Sequence, residues 1–421
     1  MDKFVVHGGN PLRGTLRISG SKNSALPILA ATLLTPDPCI IHNVPNLSDI
    51  RYMLQILQHL GAEVTFENGI VRVCAADIHS ETSYDLVRKM RASICVLGPL
   101  LARLGRATIS LPGGCVIGDR PIDLHLKGLE ALGAQIEVEE GNVIASAPEL
   151  IGAEVFLGGK FGSTVLGTDN IMMAATRAKG KTIIESAACE PEVRDLADFL
   201  IKMGAKIQGQ GTRRIEIEGV KSLRGVEHHV IPDRIEAGTF MVGALISGGD
   251  LRLTHLTHEH LGAVIHSLKQ AGAEILVEGT EMQIRAKGSL KSIEVITETY
   301  PGFPTDMQAQ FCALMSVVPG ISVIAEKVFP NRYMHLSELK RMGAKIDLEG
   351  STAIIHGVDH LGGAPVMASD LRASAALVLA GLVAKGVTTV NRVYHIDRGY
   401  EKIDEKLRSV GAVIERQREE K

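Results

Sequence analysis

The stretch Leu336-Ser-Glu-Leu-Lys-Arg-Met-Gly-Ala-Lys-Ile346 decides the fold, because its pattern occurs six times in the chain. Leu336, Leu339 and Met342 repeat with helical spacing. Gly343 then ends the helix as a left-handed C-terminal residue, and Ile346 opens a strand. The same junction recurs at Gly61-Ala-Glu-Val64, Gly133-Ala-Gln-Ile136, Gly204-Ala-Lys-Ile207, Gly272-Ala-Glu-Ile275 and Gly411-Ala-Val-Ile414, with consecutive glycines 68 to 72 residues apart. A fixed period of that length marks a repeat architecture. Upstream of each junction lies a second helical pattern rich in Ala, Leu and Met, over 25–34, 92–104, 170–178, 237–246, 307–317 and 373–384. Each runs into a short strand, such as 39–42, 182–185 or 322–325. One repeat therefore reads strand, strand, helix, strand, helix, strand, and each helix is expected to bury one apolar stripe against its neighbours.

The chain starts part-way through a repeat. Residues 4–6 and 15–18 match the strands that follow Gly-Ala elsewhere, so both are expected to complete the last repeat. That predicts an α/β protein of two three-repeat domains. Residues 22–230 form the first, and residues 1–21 plus 231–421 the second. Two crossings, near Lys22 and Pro232, make a double hinge that can open and close around a ligand.

Composition narrows the function. The 421 residues are 45% hydrophobic and 22% charged, as in an ordinary soluble globular protein, and length alone predicts two or three domains. A net charge of −3 gives no sign of a nucleic-acid or membrane partner, and 4% aromatics with no Trp argue against base-stacking platforms. The six cysteines are scattered, without zinc spacing, which fits a reducing cytoplasm. The start MDKFVVHGGN lacks a signal-peptide core, and the longest apolar run is too short to span a bilayer. No phosphate-binding loop or dinucleotide fingerprint is found, and His258-Glu-His260 has the wrong spacing for a metal pair on a helix.

Two places set the repeats apart. The first is the start of each apolar helix, which carries Lys22-Asn23, Arg91, Ser163-Thr164, Asp233-Arg234, Thr305-Asp306 and Asp370-Leu-Arg372. A cation at a helix N-terminus is locally unfavourable, so Lys22, Arg91 and Arg372 need another reason to be there. The second is the loop from the short strand to the second helix. It spans 20 residues from Ile41 to Gly61 and from Ile184 to Gly204, but 24 from Ile109 to Gly133. The extra residues lie in the loop 111–123, Leu111-Pro-Gly-Gly-Cys-Val-Ile-Gly-Asp-Arg-Pro-Ile-Asp123. It holds a thiol near an arginine, the setting that favours a thiolate. The equivalent loops carry Arg332 and Arg398. Lys22, Arg91, Arg120, Arg332, Arg372 and Arg398, with Asp306, Asp370 and Cys115, form a cation-rich set in an acidic chain. Guanidinium forks match phosphate and carboxylate, so strongly anionic small molecules are the expected substrates.

These residues closely resemble the enolpyruvyl transferase family, in its branch acting on a UDP-sugar. The resemblance covers essentially the whole chain. It is carried by Gly20-Ser-Lys-Asn-Ser-Ala-Leu-Pro27, Met90-Arg-Ala-Ser93, Leu111-Pro-Gly-Gly-Cys115, Arg120-Pro-Ile-Asp-Leu124, Ile231-Pro-Asp-Arg-Ile-Glu-Ala-Gly238, Phe303-Pro-Thr-Asp306, Asn331-Arg332, Asp370-Leu-Arg372 and His395-Ile-Asp-Arg-Gly-Tyr400. The resemblance implies an inside-out α/β barrel of two domains. It implies transfer of the enolpyruvyl group of phosphoenolpyruvate to the 3-hydroxyl of UDP-N-acetylglucosamine with release of phosphate, the first committed step of peptidoglycan synthesis. That would tie the protein to cell wall biogenesis, cell shape and cell division, and make it a fosfomycin target.

By the same resemblance, Lys22, Arg120 and Arg398 meet the donor phosphate, and Arg332, Arg372 and Arg398 its carboxylate. Asn23, Arg91, Arg120, Pro121, Ile122, Asp123, Leu124, Ser163, Thr164, Val165, Asp306 and Val328 line the nucleotide sugar. Cys115 is the acid and can carry a phosphoenolpyruvate adduct, Asp306 is the base, and Asp370 assists proton movement. No cofactor and no metal are implied, and a cytoplasmic monomer is expected. One departure stands out: Leu166 occupies a place where the family often has glycine. The rival readings are a shikimate 3-phosphate transferase of the same fold, which lacks the cysteine loop, and RNA 3′-phosphate cyclisation, which wants a basic groove and an ATP site. A catalytically silent binding paralogue is the third.

Overall fold

The computed structural model describes residues 2–111 and 122–418. The chain divides into two compact halves. Among the described residues, the first comprises 20–111 and 122–231, and the second 2–19 and 232–418.

Among the described residues each half holds three repeat sheets, four-stranded in one order except for the three-stranded sheet of Arg106–Ser110, and the first half adds the two-stranded ribbon Gly158–Gly159/Gly162–Ser163. In the third repeat, Glu154–Phe156 lies at the edge, parallel to Lys181–Glu185. That strand pairs antiparallel with Arg214–Glu218, which pairs with Lys206–Gln208. In chain order this is strand, helix, strand, helix, strand, strand, a circular permutation of the order expected from sequence. The permutation corrects the placement of the N-terminal strands. Asp2–His7 does complete the last repeat, pairing antiparallel with Val387–Asn391 and Val413–Arg418. Arg13–Arg17 does not: it is the parallel edge of the fourth-repeat sheet, on Asp250–Thr254. The first half closes the same way, with Glu227–His229 parallel to Cys39–His42. A strand that follows the hairpin in sequence thus opens the next sheet in space, and hydrophobic pattern alone does not reveal which sheet it joins.

The junction glycines do what their spacing predicts. Gly61, Gly133, Gly204, Gly272, Gly343 and Gly411 all have φ between 91° and 108°, a region costly for a residue with a Cβ. The alanine that follows each is only 6–9% exposed, at a corner with room for one methyl group.

The six apolar helices depart from expectation. They are buried on nearly every side rather than along one stripe: Arg234–Ile246 buries twelve of its thirteen residues and Gln308–Met315 all eight. Arg234–Ile246, Gln308–Met315 and Leu371–Val383 pack on one another inside the second half, and inside the first Lys22–Ala31 and Leu97–Leu104 both pack on Val165–Ala175. The other helix of each repeat is amphipathic, as Pro191–Met203 shows. This is an α/β fold with helices at the centre of each half and sheets around them. The two cores bury most of the large apolar side chains of those inner helices, with Leu104, Val165, Leu166, Leu371 and Val383 near the helix ends only partly covered.

Candidate active site

The apolar helices begin earlier than their hydrophobic pattern, because capping residues set the start. Ser21, Thr164, Asp233 and Asp370 are N-caps at equivalent positions in four repeats. Each side-chain oxygen accepts from a backbone N–H of the first turn. The other two repeats enter through 3₁₀ turns, Arg91–Val96 and Thr305–Met307. The candidate residues at these helix starts are therefore held by rigid elements.

In the second half the structure brings Asp306, Arg332 and Arg372 into direct contact. Oδ1 of Asp306 accepts from Nη1 of Arg332 at 2.7 Å. Its Oδ2 accepts from Nε and Nη2 of Arg372 at 3.2 and 3.1 Å. Both arginines are nearly inaccessible, at 6% and 2% exposure. Burial opposes both charges, yet Arg332 is held above its usual range by Asp306 and Asp370, and Arg372 by Tyr400 and Asp306. Two buried guanidiniums touch one carboxylate, with Asp370 adding negative charge near Arg332 and Asp233 near Arg372. Nη1 of Arg372 is buried and has no hydrogen-bond partner among the described residues. A buried donor without an acceptor is costly, so this one is suited to an incoming anion.

Asp370 is half-buried, and its Oδ1 accepts from the N–H groups of Arg372 and Ala373 at 2.9 and 3.1 Å. It therefore fixes the helix start that carries Arg372. Arg398 ends the 3₁₀ turn Val393–Arg398, beside His395, whose pKa burial and Arg398 lower. Val328 is held by its own N–H, which donates to Glu326 Oε1 at 2.8 Å. Gly238 sits where a Cβ would come within 2.9 Å of Met307 Sδ, so this glycine lets the helix approach the turn bearing Asp306.

In the first half, Lys22 is buried and paired with Asp49 at 3.0 Å, which is why a cation is tolerated at that helix start. Asn23 follows, half-buried. Arg91, Ile122, Asp123, Leu124, Ser163, Thr164 and Val165 sit on three elements joined by one buried side chain, Asn170. Its Nδ2 donates to the Ile94 carbonyl at 2.9 Å and lies 3.1 Å from His125 Nδ1, and its Oδ1 accepts from Gly98 N–H at 2.7 Å. Leu124 Cδ1 lies 3.3 Å from where a Cβ on Gly159 would stand, which puts Ile122–Leu124 beside the short hairpin that ends at Ser163. Leu166 lies in the first turn of Val165–Ala175. Cys115, Arg120 and Pro121 lie outside the described residues.

Sequence reasoning missed Asp49, Asn170, Glu326 and His335. Asp49 and Asn170 sit on ordinary helical faces, and only the fold brings them to the site residues. Glu326 and His335 do lie within nine residues of Arg332, but nothing in their local pattern separates them from surface residues. Among the described residues, no cluster of His, Cys, Asp and Glu could hold a metal.

Comparison with known proteins bears on this arrangement. Residues 6–407 match the family model described as EPSP synthase (3-phosphoshikimate 1-carboxyvinyltransferase). The chain is 64% identical over 416 residues to the UDP-N-acetylglucosamine 1-carboxyvinyltransferase of Methylacidiphilum infernorum, covering 99% of each chain. It is 59% identical over 419 residues to the protein of the same name from Akkermansia muciniphila, again covering 99% of each. Among solved structures it is similar to the enolpyruvyl transferase NikO from Streptomyces tendae (TM-score 0.89, 25% identity, 99% of each chain). A likeness in fold alone extends to an EPSP synthase from Acinetobacter baumannii, with TM-score 0.76 and 20% identity over 99% of this chain and all of that one. Identity above half over the full length, with the repeats and the arginine–aspartate cluster in place, shows that the chain belongs to the EPSP synthase family of enolpyruvyl (carboxyvinyl) transferases, on the side of the UDP-N-acetylglucosamine enzymes.

Proposed function

We propose that the protein transfers the enolpyruvyl group of phosphoenolpyruvate to the 3-hydroxyl of UDP-N-acetylglucosamine and releases phosphate, as a step toward peptidoglycan. The observation that carries the reading is the contact of Arg332 and Arg372 on Asp306, with a spare buried donor on Arg372. Such a pair takes a carboxylate at one end while holding a proton acceptor at the other. The full-length relatives named for this activity support it over the shikimate 3-phosphate reading, since their identity far exceeds that of the solved EPSP synthase.

In the reaction, Cys115 gives a proton to C3 of phosphoenolpyruvate, and C2 becomes electrophilic. Asp306 takes the proton of the sugar hydroxyl, and the oxygen attacks C2 to give a tetrahedral ketal. The Cys115 thiolate then takes a proton back from C3, the C–O bond to phosphate breaks with its electron pair leaving on phosphate, and the C2=C3 double bond re-forms in the enolpyruvyl ether now carried by the sugar. Arg332 and Arg372, with Arg398, are assigned to the carboxylate, and Lys22, Arg120 and Arg398 to the phosphate; all stabilise developing negative charge. Asn23, Arg91, Ile122–Leu124, Ser163–Val165 and Val328 are assigned to the nucleotide sugar. The chemistry calls on no cofactor. Small-molecule substrates suffice, in a cytoplasmic monomer, and no helix among the described residues is long and apolar enough to cross a membrane.

Nuclear magnetic resonance of the product tests the reading. It should show a vinylidene group in ether linkage at C3 of the N-acetylglucosamine ring. Attachment at any other hydroxyl, or an unmodified nucleotide sugar, would overturn it.

A further inference from the structure

We propose that Glu326 is the positioning residue for Asp306, acting through the hydroxyl of Thr305. Glu326 is fully buried, just past the strand Ile321–Ala325. Four donors converge on its carboxylate. Oε1 accepts from Thr297 Oγ1 at 2.7 Å, Val328 N–H at 2.8 Å and Phe329 N–H at 2.9 Å. Oε2 accepts from Thr305 Oγ1 at 2.8 Å. The Thr305 hydroxyl has one proton. Because it gives that proton to Glu326, its lone pairs face Arg332, whose Nη1 donates to it at 3.2 Å and to Asp306 Oδ1 at 2.7 Å. One carboxylate thus sets the direction of a hydrogen-bond relay that ends on Asp306. It also ties the turn bearing Asp306 to the loop bearing Val328 and Arg332.

A charged acceptor is needed. A neutral amide at 326 cannot accept from the two loop N–H groups and the Thr305 hydroxyl at once. One side must be met by its NH2 group. If the oxygen keeps the loop, the NH2 group occupies one of the two Thr305 lone pairs and the hydroxyl proton has to turn elsewhere, which redirects the remaining lone pair that meets Arg332. The Arg332–Asp306 contact is then no longer held in place, and by analogy with the outer partners of metal ligands a loss of about 10- to 100-fold in activity is expected.

This inference rests on the assignment of Asp306 as base, and the experiment separates the two. Phosphate release from phosphoenolpyruvate with UDP-N-acetylglucosamine is measured for the wild type, Glu326→Gln, Thr305→Val, Thr305→Ser and the double variant Glu326→Gln/Thr305→Val, with thermal melts for each. The proposal expects about 10- to 100-fold loss of kcat in Glu326→Gln and in Thr305→Val, with KM for phosphoenolpyruvate within about twofold. Thr305→Ser recovers most of the Thr305→Val loss, and the double variant is no worse than the more damaged single one. An active wild type with Glu326→Gln at full kcat overturns the positioning role alone, as do losses that multiply in the double variant. If Glu326→Gln does not fold, equal kcat in Thr305→Val and Thr305→Ser overturns it. An inactive wild type removes the underlying assignment, and the proposal with it.

Discussion

Asp306 and the two arginines on it hold the account at the scale of the residue. Removing the carboxylate while keeping its shape, as in Asp306→Asn, leaves two buried cations facing a neutral amide and removes the proton acceptor. Turnover should fall by about 10²- to 10⁴-fold, read from initial rates of phosphate release. The thiols give a second prediction. Burial raises Cys39 to about 11 and also pushes Cys95, Cys189 and Cys312 upward, so these hold almost no thiolate at neutral pH. The epoxide fosfomycin should therefore label Cys115 and leave those four unmodified in a peptide map. An unmodified Cys115 after incubation would count against a reactive thiol there. Cys115→Asp and Cys115→Ser divide its roles: an active Asp variant beside an inactive Ser variant assigns it to proton donation.

His335 is a further residue whose environment makes a prediction. Burial, with Arg332 near it, lowers its pKa to about 4, against the pull of Asp370. In the unfolded chain a histidine titrates near 6.5. Between those values the unfolded state binds the proton and the folded state does not. Stability from this group is complete above about pH 6.5 and is lost as pH falls toward 4, at about 1.4 kcal/mol per pH unit. His335→Gln should flatten that stretch of a urea-midpoint profile, provided the variant keeps its fold at pH 7.

At the scale of the element, the start of the helix Leu371–Val383 combines capping with function. Asp370 caps it, and Arg372 projects from its first turn. Asp370→Ala should cost about 1 kcal/mol of stability through the lost cap alone. Asp370→Ser keeps a capping oxygen and removes the charge. Near wild-type stability with reduced turnover would assign Asp370 to proton movement, whereas unchanged turnover would leave it only the cap. Much of this scale was legible in the sequence. The Gly-Ala junctions located every outer helix end, and charges at the apolar helix starts picked out Lys22, Arg372 and the Asp306 turn. Partners such as Asp49 and Glu326 were not legible, because a buried carboxylate is recognisable only once its donors are in space. The strand Arg13–Arg17 was assigned to the wrong sheet for a related reason. Its alternation marks it as a strand, but the choice between two sheets is made by tertiary closure.

At the scale of the whole molecule, the chain leaves one half and returns at two neighbouring crossings, and each is anchored by a buried carboxylate. In the second half, Glu236 accepts from the Ser19 N–H and from Lys406 Nζ, both at 2.6 Å. In the first half, Asp195 accepts from Ile231 N–H at 3.2 Å, binds the Ser24 hydroxyl, and lies 2.9 Å from His228 Nε2. These anchors fasten the last residue of each half, Ser19 and Ile231, before the chain crosses out of it. The repeat count and the permuted ends were legible from the spacing of six glycines, whereas these anchors lie on inner helix faces that composition does not single out.

The proposed function turns on one donor and one nucleotide-sugar acceptor. The most direct measurement is phosphate release from phosphoenolpyruvate with each acceptor in turn. Steady release is expected with UDP-N-acetylglucosamine and none above background with shikimate 3-phosphate or with no acceptor. Equal release with shikimate 3-phosphate, or none with UDP-N-acetylglucosamine, would contradict it.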